Sequence, residues 1–235
     1  MALPQLNTSP SYSTKVPSTG ETIHYRPYLV KEEKVLMIAF ETGDQKQALR
    51  AIVDTLKACI VEEVDLVNLC TFDIEYLFTQ IRSKSVGETA DITLPCSKCE
   101  SRTEVNISLQ DINIDVGATE NVIELTDNIS IEMRYPAYRQ VMNLDVENSN
   151  ETELGFTMLS SCITAILTEE ERVDTSEVPQ KEVMAFIEQM TTDQFKKVSE
   201  FLQNIPTLNQ EVRFTCSSCG HENQTRLKGI NDFLS

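Results

Sequence analysis

Two Cys-x-x-Cys pairs, Cys96–Cys99 and Cys216–Cys219, constrain the fold of this chain more than any other feature of its sequence. Each pair has the spacing of a knuckle, a tight turn that directs two thiolates toward one point, whereas structural zinc takes four ligands in a tetrahedron. Strand-like residues flank both pairs, as in the hairpins of a zinc ribbon. The sequence therefore predicts one discontinuous four-cysteine ribbon that folds the C-terminal part of the chain onto its middle and holds one structural Zn²⁺ per chain.

Other interpretations of these cysteines stay open. Iron in the same four-thiolate cage is chemically allowed, because tetrahedral sulfur suits both metals. A thioredoxin-like redox pair is disfavoured because neither pair opens a helix within a βαβ unit. The remaining interpretation is that the cysteines are simple thiols without a bound metal. Since four cysteines complete the ligand shell, His221 is expected to face solvent or to support a ligand. The second histidine, His24, is expected to be an ordinary surface or core residue.

The composition limits the compartment and the partners. The chain has 20 Lys and Arg against 37 Asp and Glu, a formal net charge of −17. This charge disfavours nucleic acid and anionic membranes as partners, because binding to phosphate needs clustered cations. The apolar runs are shorter than the ~18 residues that a membrane span requires. With seven cysteines, an odd number, and no recognisable signal peptide, the sequence indicates a reducing cytoplasm.

Hydrophobic periodicity predicts a mostly helical body with short antiparallel strands, an α+β fold. Thr71 and Thr192 are candidate N-caps of two of the helices. The predicted helices cover the segment from Lys31 to Gly43, the stripe of Ala48, Ile52, Leu56 and Cys59, and residues 72–85, 137–145, 154–167, 180–190 and 193–204. The predicted strands cover residues 22–30, 90–94, 103–109, 122–125, 129–133, 212–214 and 224–227.

These elements suggest four regions. Residues 1–20 are rich in Ser, Thr and Pro and are expected to form a flexible N-terminal arm. Residues 21–95 are expected to form a strand and helices, and residues 136–205 a helical region. The β-rich zinc-ribbon region would combine residues 96–135 with residues 206–230.

No catalytic constellation is visible in the sequence. There are two histidines and seven glycines, and no Gly-rich phosphate loop, GxGxxG or GxSxG motif occurs. Acidic runs such as Glu169–Glu171 are typical of solvated surfaces, so an enzyme that uses a glutamate cluster is the weakest hypothesis. The sequence therefore predicts a protein that is not an enzyme and has no small-molecule substrate.

A nucleic-acid-binding regulator built on the zinc ribbon is the alternative from another functional class. Cations near the two pairs could contact phosphates, as in some zinc ribbons, but the acidic residues Glu100, Glu104, Glu211 and Glu222 interrupt them. The cations in question are Lys98, Arg102, Arg213, Arg226 and Lys228.

Two segments resemble signatures of a known protein family. Tyr25–Leu36, with the sequence YRPYLVKEEKVL, is similar to the opening signature of a baseplate protein family of contractile-tailed bacteriophages of the T-even type and their marine relatives. Phe72–Phe78 followed by Ile81–Glu88 resembles the second signature of that family, and Met1–Pro4 is also similar to its members. The resemblance is strongest over about residues 20–100, and the cysteine pairs are compatible with it.

The resemblance implies a baseplate hub subunit or hub assembly protein, without enzymatic activity. Its expected partners are hub proteins or tape-measure proteins, and its expected location is the cytoplasm of the infected cell or the tail baseplate of the virion. Residues of the first signature are of types enriched at interfaces, and we expect Tyr25, Arg26 and Tyr28 to contact a partner. Leu29, Val35 and Leu36 are instead expected to pack the strand onto the following helix.

Overall fold

The computed structural model describes residues 10–114, 121–145 and 149–234, which divide into two units. The first unit draws on Met1–Leu66, Phe72–Asp115 and Thr207–Ser235. The second draws on Val67–Thr71 and Val116–Pro206. Each unit combines helices with antiparallel strands, so the predicted α+β class is confirmed.

The first unit contains the long helices α1 (Val30–Glu41) and α2 (Gln45–Cys59), and α3 (Thr71–Ser85) from Phe72 onward. Gly43 adopts a left-handed backbone with φ of 68° just after α1, a conformation that ends a helix at little steric cost. Asp44 then caps α2 by accepting two backbone amides from its first turn. The helices predicted in these three places are confirmed, although Thr71 is the first residue of α3 and not its cap.

The N-terminal segment differs from the flexible arm expected over residues 1–20. Strands β1 (Tyr12–Lys15) and β2 (Thr22–Tyr25) form an antiparallel hairpin. The rings of Tyr12 and Tyr25 lie 5.9 Å apart, and Val16 is buried in the turn region. This segment therefore contributes the side chains of Tyr12 and Val16 to the packing of the first unit, although most of its residues are polar. Residues 1–9 lie outside the described part of the chain.

Ser18 fastens this hairpin to α3. Its hydroxyl donates to Oδ2 of Asp73 at 2.6 Å, and its backbone amide donates to Oδ1 at 2.9 Å. Asp73 is fully buried, so these bonds help to compensate a carboxylate that has lost its contact with water.

Two further hairpins complete the first unit. One consists of β3 (Thr89–Pro95) and β4 (Arg102–Ser108), and the residues of β3 alternate strictly between exposed and buried. The other consists of β10 (Leu208–Thr215) and β11 (Glu222–Lys228). The short strand β5 (Asn113–Ile114) pairs with β10, and the short helix α8 (Asn231–Leu234) follows β11.

The second unit is built on a four-stranded antiparallel sheet. Its strands are β6 (Val122–Thr126), β7 (Ile129–Met133), β8 (Ile163–Thr168) and β9 (Arg172–Asp174), in that spatial order. The helices of this unit are α4 (Tyr138–Asn143), α5 (Glu151–Cys162), α6 (Gln180–Glu188) and α7 (Thr192–Gln203). Their shared core is formed by Ile131, Met133, Leu159, Cys162, Ile163, Val183, Ile187, Val198 and Phe201.

Strand β8 replaces the last third of a helix predicted over residues 154–167. The helix α5 ends at Cys162, and the chain then pairs with β7 as an extended strand. The β-branched residues Ile163, Thr164 and Ile166 favour the strand, but a short apolar run has the same appearance in either structure. The cap of α7 is also one residue earlier than predicted, because Thr191 accepts the amide of Gln194.

The two units divide the chain differently from the expected four regions. The expected ribbon region includes residues 116–135, whereas β6 and β7 lie in the second unit because β7 pairs with β8. The hairpins that carry the cysteines share the first unit with α1, α2 and α3. Among the described residues, no helix has both the length and the apolar character needed to cross a membrane.

Candidate metal centre

Each cysteine pair lies in the turn of a hairpin, and the two turns have the same backbone geometry. The amide of Cys96 donates to the carbonyl of Ser101 at 3.0 Å, and that of Cys216 donates to the carbonyl of His221 at 2.9 Å. The residue after each second cysteine has a left-handed backbone, with φ of 59° at Glu100 and 71° at Gly220.

The left-handed backbone suits the glycine at one of these positions and strains the glutamate at the other. Gly220 adopts it without steric penalty, because glycine has no Cβ atom. Glu100 is the single non-glycine residue with positive φ among the described residues, and such a backbone costs about 1 kcal/mol or more. The first knuckle therefore holds its shape against a local conformational preference.

The two turns bring four sulfur atoms together. The Sγ atoms of Cys96, Cys99, Cys216 and Cys219 all lie within 4.8 Å of one another. The Sγ atoms of Cys96 and Cys219 are 3.7 Å apart, and those of Cys99 and Cys216 are 3.6 Å apart. All four cysteines are free, and both distances far exceed the ~2 Å of a disulfide bond.

These distances fit a tetrahedral thiolate site. With Zn–S bonds of about 2.3 Å, neighbouring sulfurs of a regular tetrahedron lie about 3.8 Å apart. The cross-hairpin distances of 3.7 Å for Cys96–Cys219 and 3.6 Å for Cys99–Cys216 are within about 0.2 Å of that edge. The four cysteines are therefore close enough to bind one metal ion, and each hairpin contributes two of the four ligands.

The pKa values of the clustered thiols are shifted in opposite directions. Backbone amides of Cys219 and Ser218 donate to the sulfur of Cys216 and lower its pKa to about 6. At Cys219 the amide of His221 also lowers the pKa, but the neighbouring thiols of the cluster outweigh that bond and raise it to about 12. Deprotonating all four thiols would crowd like charges together, and a bound metal ion would remove that penalty.

Two buried polar residues join the hairpins beside the sulfurs. Oδ1 of Asn223 accepts from the amide and the hydroxyl of Ser97, at 2.9 Å each, and its Nδ2 donates to Sγ of Cys96 at 3.6 Å. Reciprocally, the amide of Ser217 donates to Oγ1 of Thr103 at 3.2 Å. Each hairpin therefore hydrogen-bonds, through a buried side chain, the backbone amide of the residue that follows the first cysteine of the other hairpin.

Sequence reasoning missed both residues, although a signal was present. Thr103 and Asn223 each occupy the fourth position after the second cysteine of their pair, and both are buried in an alternating strand. A polar residue at an inward position of both hairpins indicates a hydrogen-bonding role, because buried polar groups need partners.

The histidines lie where the sequence suggests. The His221 side chain is exposed, and the metal-binding group found among the described residues consists of the four cysteines alone. Nδ1 of His24 lies 2.6 Å from Oε1 of Glu62 in an exposed pair on the protein surface.

The residues predicted to contact a partner are less accessible than expected. Tyr25 is only 2% exposed, because its ring packs in the N-terminal hairpin beside Tyr12. Arg26 donates from Nη2 to Oε1 of Glu32 and to the carbonyl of Ala58, both at 2.9 Å. Tyr28 is half-buried. Tyr25 thus differs from the sequence expectation, whereas the helix that follows these residues is more exposed than expected.

Comparisons with known proteins place the chain beside phage tail proteins. A family model described as T4 bacteriophage base plate protein matches residues 9–235. The chain is 21% identical over 223 residues to the baseplate hub assembly protein gp26 of Enterobacteria phage T4, an alignment that covers 95% of this chain and 97% of that protein. No solved structure shows a significant match. The similarity therefore extends over nearly the whole chain and not only over residues 20–100.

Proposed function

The chain belongs to the T4 bacteriophage base plate protein family, and on that basis we propose that it acts as a non-enzymatic component or assembly factor of the baseplate hub. The resemblance noted at Tyr25–Leu36 and Phe72–Phe78 is confirmed by this membership. In the proposed role the protein binds hub or tape-measure proteins in the cytoplasm of the infected cell during tail assembly. The net charge of −17 supports a protein partner over nucleic acid.

One observation carries the proposal of a binding role. Six of the nine exposed large hydrophobic side chains among the described residues lie between Leu29 and Phe40. Val30 is 79% exposed, and Val35, Met37 and Ile38 are each at least half exposed. We call the exposed side of α1 that carries Val30, Val35, Met37, Ile38 and Phe40 the α1 face.

The α1 face has the character of an interaction surface. The buried residues of α1 are Glu32, Leu36 and Ala39, whereas the residues of the α1 face stay 39–79% exposed in the packed unit. Single exposed hydrophobic residues are normal, but five of them within one helix expose more apolar surface than scattered residues do, and exposed apolar surface of this kind is a feature of interaction sites. Val35 was expected to pack inward, and its exposure is part of this surface.

Substitutions on the α1 face test the assembly role. In a phage whose own copy is replaced by the double variant Val35→Gln and Ile38→Gln, we expect at least tenfold fewer complete tails and weaker co-purification of hub proteins. The matched control is Val61→Gln with Val86→Gln, two exposed valines outside α1, which should assemble normally. Normal assembly by a folded α1-face variant would contradict the proposal.

We also propose that Cys96, Cys99, Cys216 and Cys219 hold one structural Zn²⁺ per chain. The cross-hairpin sulfur distances of 3.6 and 3.7 Å and the free state of the thiols support this assignment. In this role the ion stabilises the fold and takes no part in chemistry. It joins a hairpin from the middle of the chain to one near its end.

Elemental analysis of purified protein tests the metal assignment. We expect about one zinc per chain in the wild type, loss of that zinc in Cys219→Ser, and its retention in His221→Ala, because the His221 side chain is exposed. Loss of zinc in His221→Ala would instead show that the histidine is a ligand, and iron in the purified protein would replace zinc in the proposal.

A further inference from the structure

An open groove lies beside the α1 face, within the first unit. Its volume is about 440 Å³. Residues from the end of α1, the start of α2 and a turn near the C-terminus line it, chiefly Phe40, Ala48, Leu49, Ile52 and Ile230. Phe40 belongs to both surfaces, so the α1 face and the groove adjoin at this residue.

One acidic side chain is set among these apolar walls. Glu75, on the second turn of α3, lines the groove and is only partly accessible to water. The backbone of Ile230 hydrogen-bonds its carboxylate, and burial raises its pKa to about 7. Within the described ranges no salt bridge includes Glu75, so its charge has no cationic partner in the free protein.

The remaining charged group that lines the groove is already engaged. Asp44 accepts from the amides of Lys46 and Gln47 at the start of α2, and Arg50 interacts with it electrostatically. Glu75 is therefore the acidic group of the groove that is available to an incoming cation.

The chemistry of the groove selects a long side chain with a positive end. A lysine or arginine buries its methylene stem along apolar surface and keeps its charge at the tip. An opposite charge within a few ångströms stabilises the ionised form of a carboxyl group that burial disfavours. We propose that the groove receives a lysine or arginine side chain of a hub partner, with the stem against Ala48, Leu49 and Ile52 and the charge on Glu75.

Charge complementarity favours a different protein over a second copy of this chain. Two copies would each bring a net charge of −17, and their repulsion opposes association, whereas a basic segment is attracted. The inference rests on the proposed assembly function, because the partner that inserts the side chain is the one that covers the α1 face.

A small amine tests the groove without the partner. n-Butylammonium has the four-carbon stem and charge of lysine, and n-butanol is its neutral counterpart. At pH 8 we expect n-butylammonium to shift the methyl NMR signals of Ala48, Leu49 and Ile52 with at least tenfold higher affinity than n-butanol. Glu75→Gln should abolish this preference, and the control Glu41→Gln, an exposed acid outside the groove, should retain it. Equal binding of the two probes, or a preference that survives in Glu75→Gln, would overturn the inference.

A photo-crosslinking residue at position 49 tests the occupant during assembly. Cross-linked peptides should come from a baseplate hub protein and contain a lysine or arginine flanked by apolar residues. Cross-links to a second copy of this chain, or to a segment without a basic residue, would overturn the inference. The two proposals fail separately. If the groove shows no preference for n-butylammonium while the α1-face variants assemble poorly, only the insertion of a basic side chain is contradicted. If those variants assemble normally, the assembly role itself is contradicted.

Discussion

At the scale of single residues, Glu75 opposes folding more strongly as the pH rises. Burial raises its pKa from 4.5 to about 7 in the folded protein. Below about pH 4.5 both states are protonated and the group contributes nothing. Between pH 4.5 and 7 the unfolded chain releases its proton first, so the free energy of unfolding falls, by about 3 kcal/mol once the folded group is also ionised.

Glu75→Gln should therefore stabilise the protein in alkaline solution. Glutamine cannot ionise but keeps an oxygen that accepts the hydrogen bond from Ile230. Urea denaturation should show Glu75→Gln to be more stable than the wild type by about 1–3 kcal/mol at pH 8, and the gain should be much smaller at pH 5. The same gain at both pH values would show that the burial of Glu75 is not what limits stability.

At the scale of elements, the start of α1 depends on a partly buried ion pair between Arg26 and Glu32. Oε2 of Glu32 accepts the amide of Leu29, which precedes the helix, and Oε1 accepts from Arg26. Burial alone would raise the pKa of Glu32, but the bonds from Arg26 and Leu29 outweigh it, and the pKa is lowered. The Glu32 side chain is 8% exposed, so the loss of Arg26 would leave a carboxylate that water hardly reaches without its main cationic partner.

Two substitutions around Glu32 should differ sharply in their effect on the free energy of unfolding. Arg26→Ala removes the partner of a buried carboxylate and should lower the free energy of unfolding by about 1–3 kcal/mol. Lys31 also approaches Glu32, at 3.4 Å, but its side chain is 72% exposed, so Lys31→Ala should cost less than about 1 kcal/mol. Chemical denaturation of both variants checks the difference, and equal losses would mean that exposure does not set the strength of these pairs.

The same elements show what the sequence could and could not predict. Helices α2 and α3 carry apolar residues at helical spacing, and the strands beside the cysteines alternate, so both were predicted. Strand β8 was missed because its backbone partner β7 lies about thirty residues earlier, and local pattern does not report pairing. The inward side chain of Tyr25 and the outward one of Val35 were missed because tertiary packing decides which side of an element is covered.

The candidate metal site was predicted from the sequence more completely than the surface expected to contact a partner. Ligand spacing is a local property, so Cys96 and Cys216 were identified from their pairs. The reciprocal bonds of Thr103 and Asn223 depend on the approach of the two hairpins, which the spacing does not describe.

At the scale of the whole molecule, the proposed metal site belongs to one of two units. The four cysteines lie in the first unit, whereas the second unit has a hydrophobic core of its own around Ile131 and Val198. The sequence suggests one ribbon closing a long loop, so that loss of zinc would release everything between the pairs. The division into units indicates a more local effect.

Chelation followed by hydrogen exchange should resolve that effect. Removal of the metal should accelerate amide exchange in the hairpins β3–β4 and β10–β11, since metal binding at such a site contributes to folding free energy. Exchange in α5, α6 and α7 should change little. Equal acceleration in both units would show that they unfold together, and Cys219→Ser should reproduce the pattern of the chelated wild type.

The pairing of cysteines from distant hairpins also sets an order of events during synthesis. Cys219 lies 123 positions after Cys96. At a translation rate of about 5–20 residues per second, the second pair leaves the ribosome roughly ten seconds after the first. During that interval the first hairpin offers only two of the four ligands of the proposed metal site. A chain released before Cys216 lacks two of the four proposed ligands, so capture of the proposed metal ion would distinguish finished chains from truncated ones.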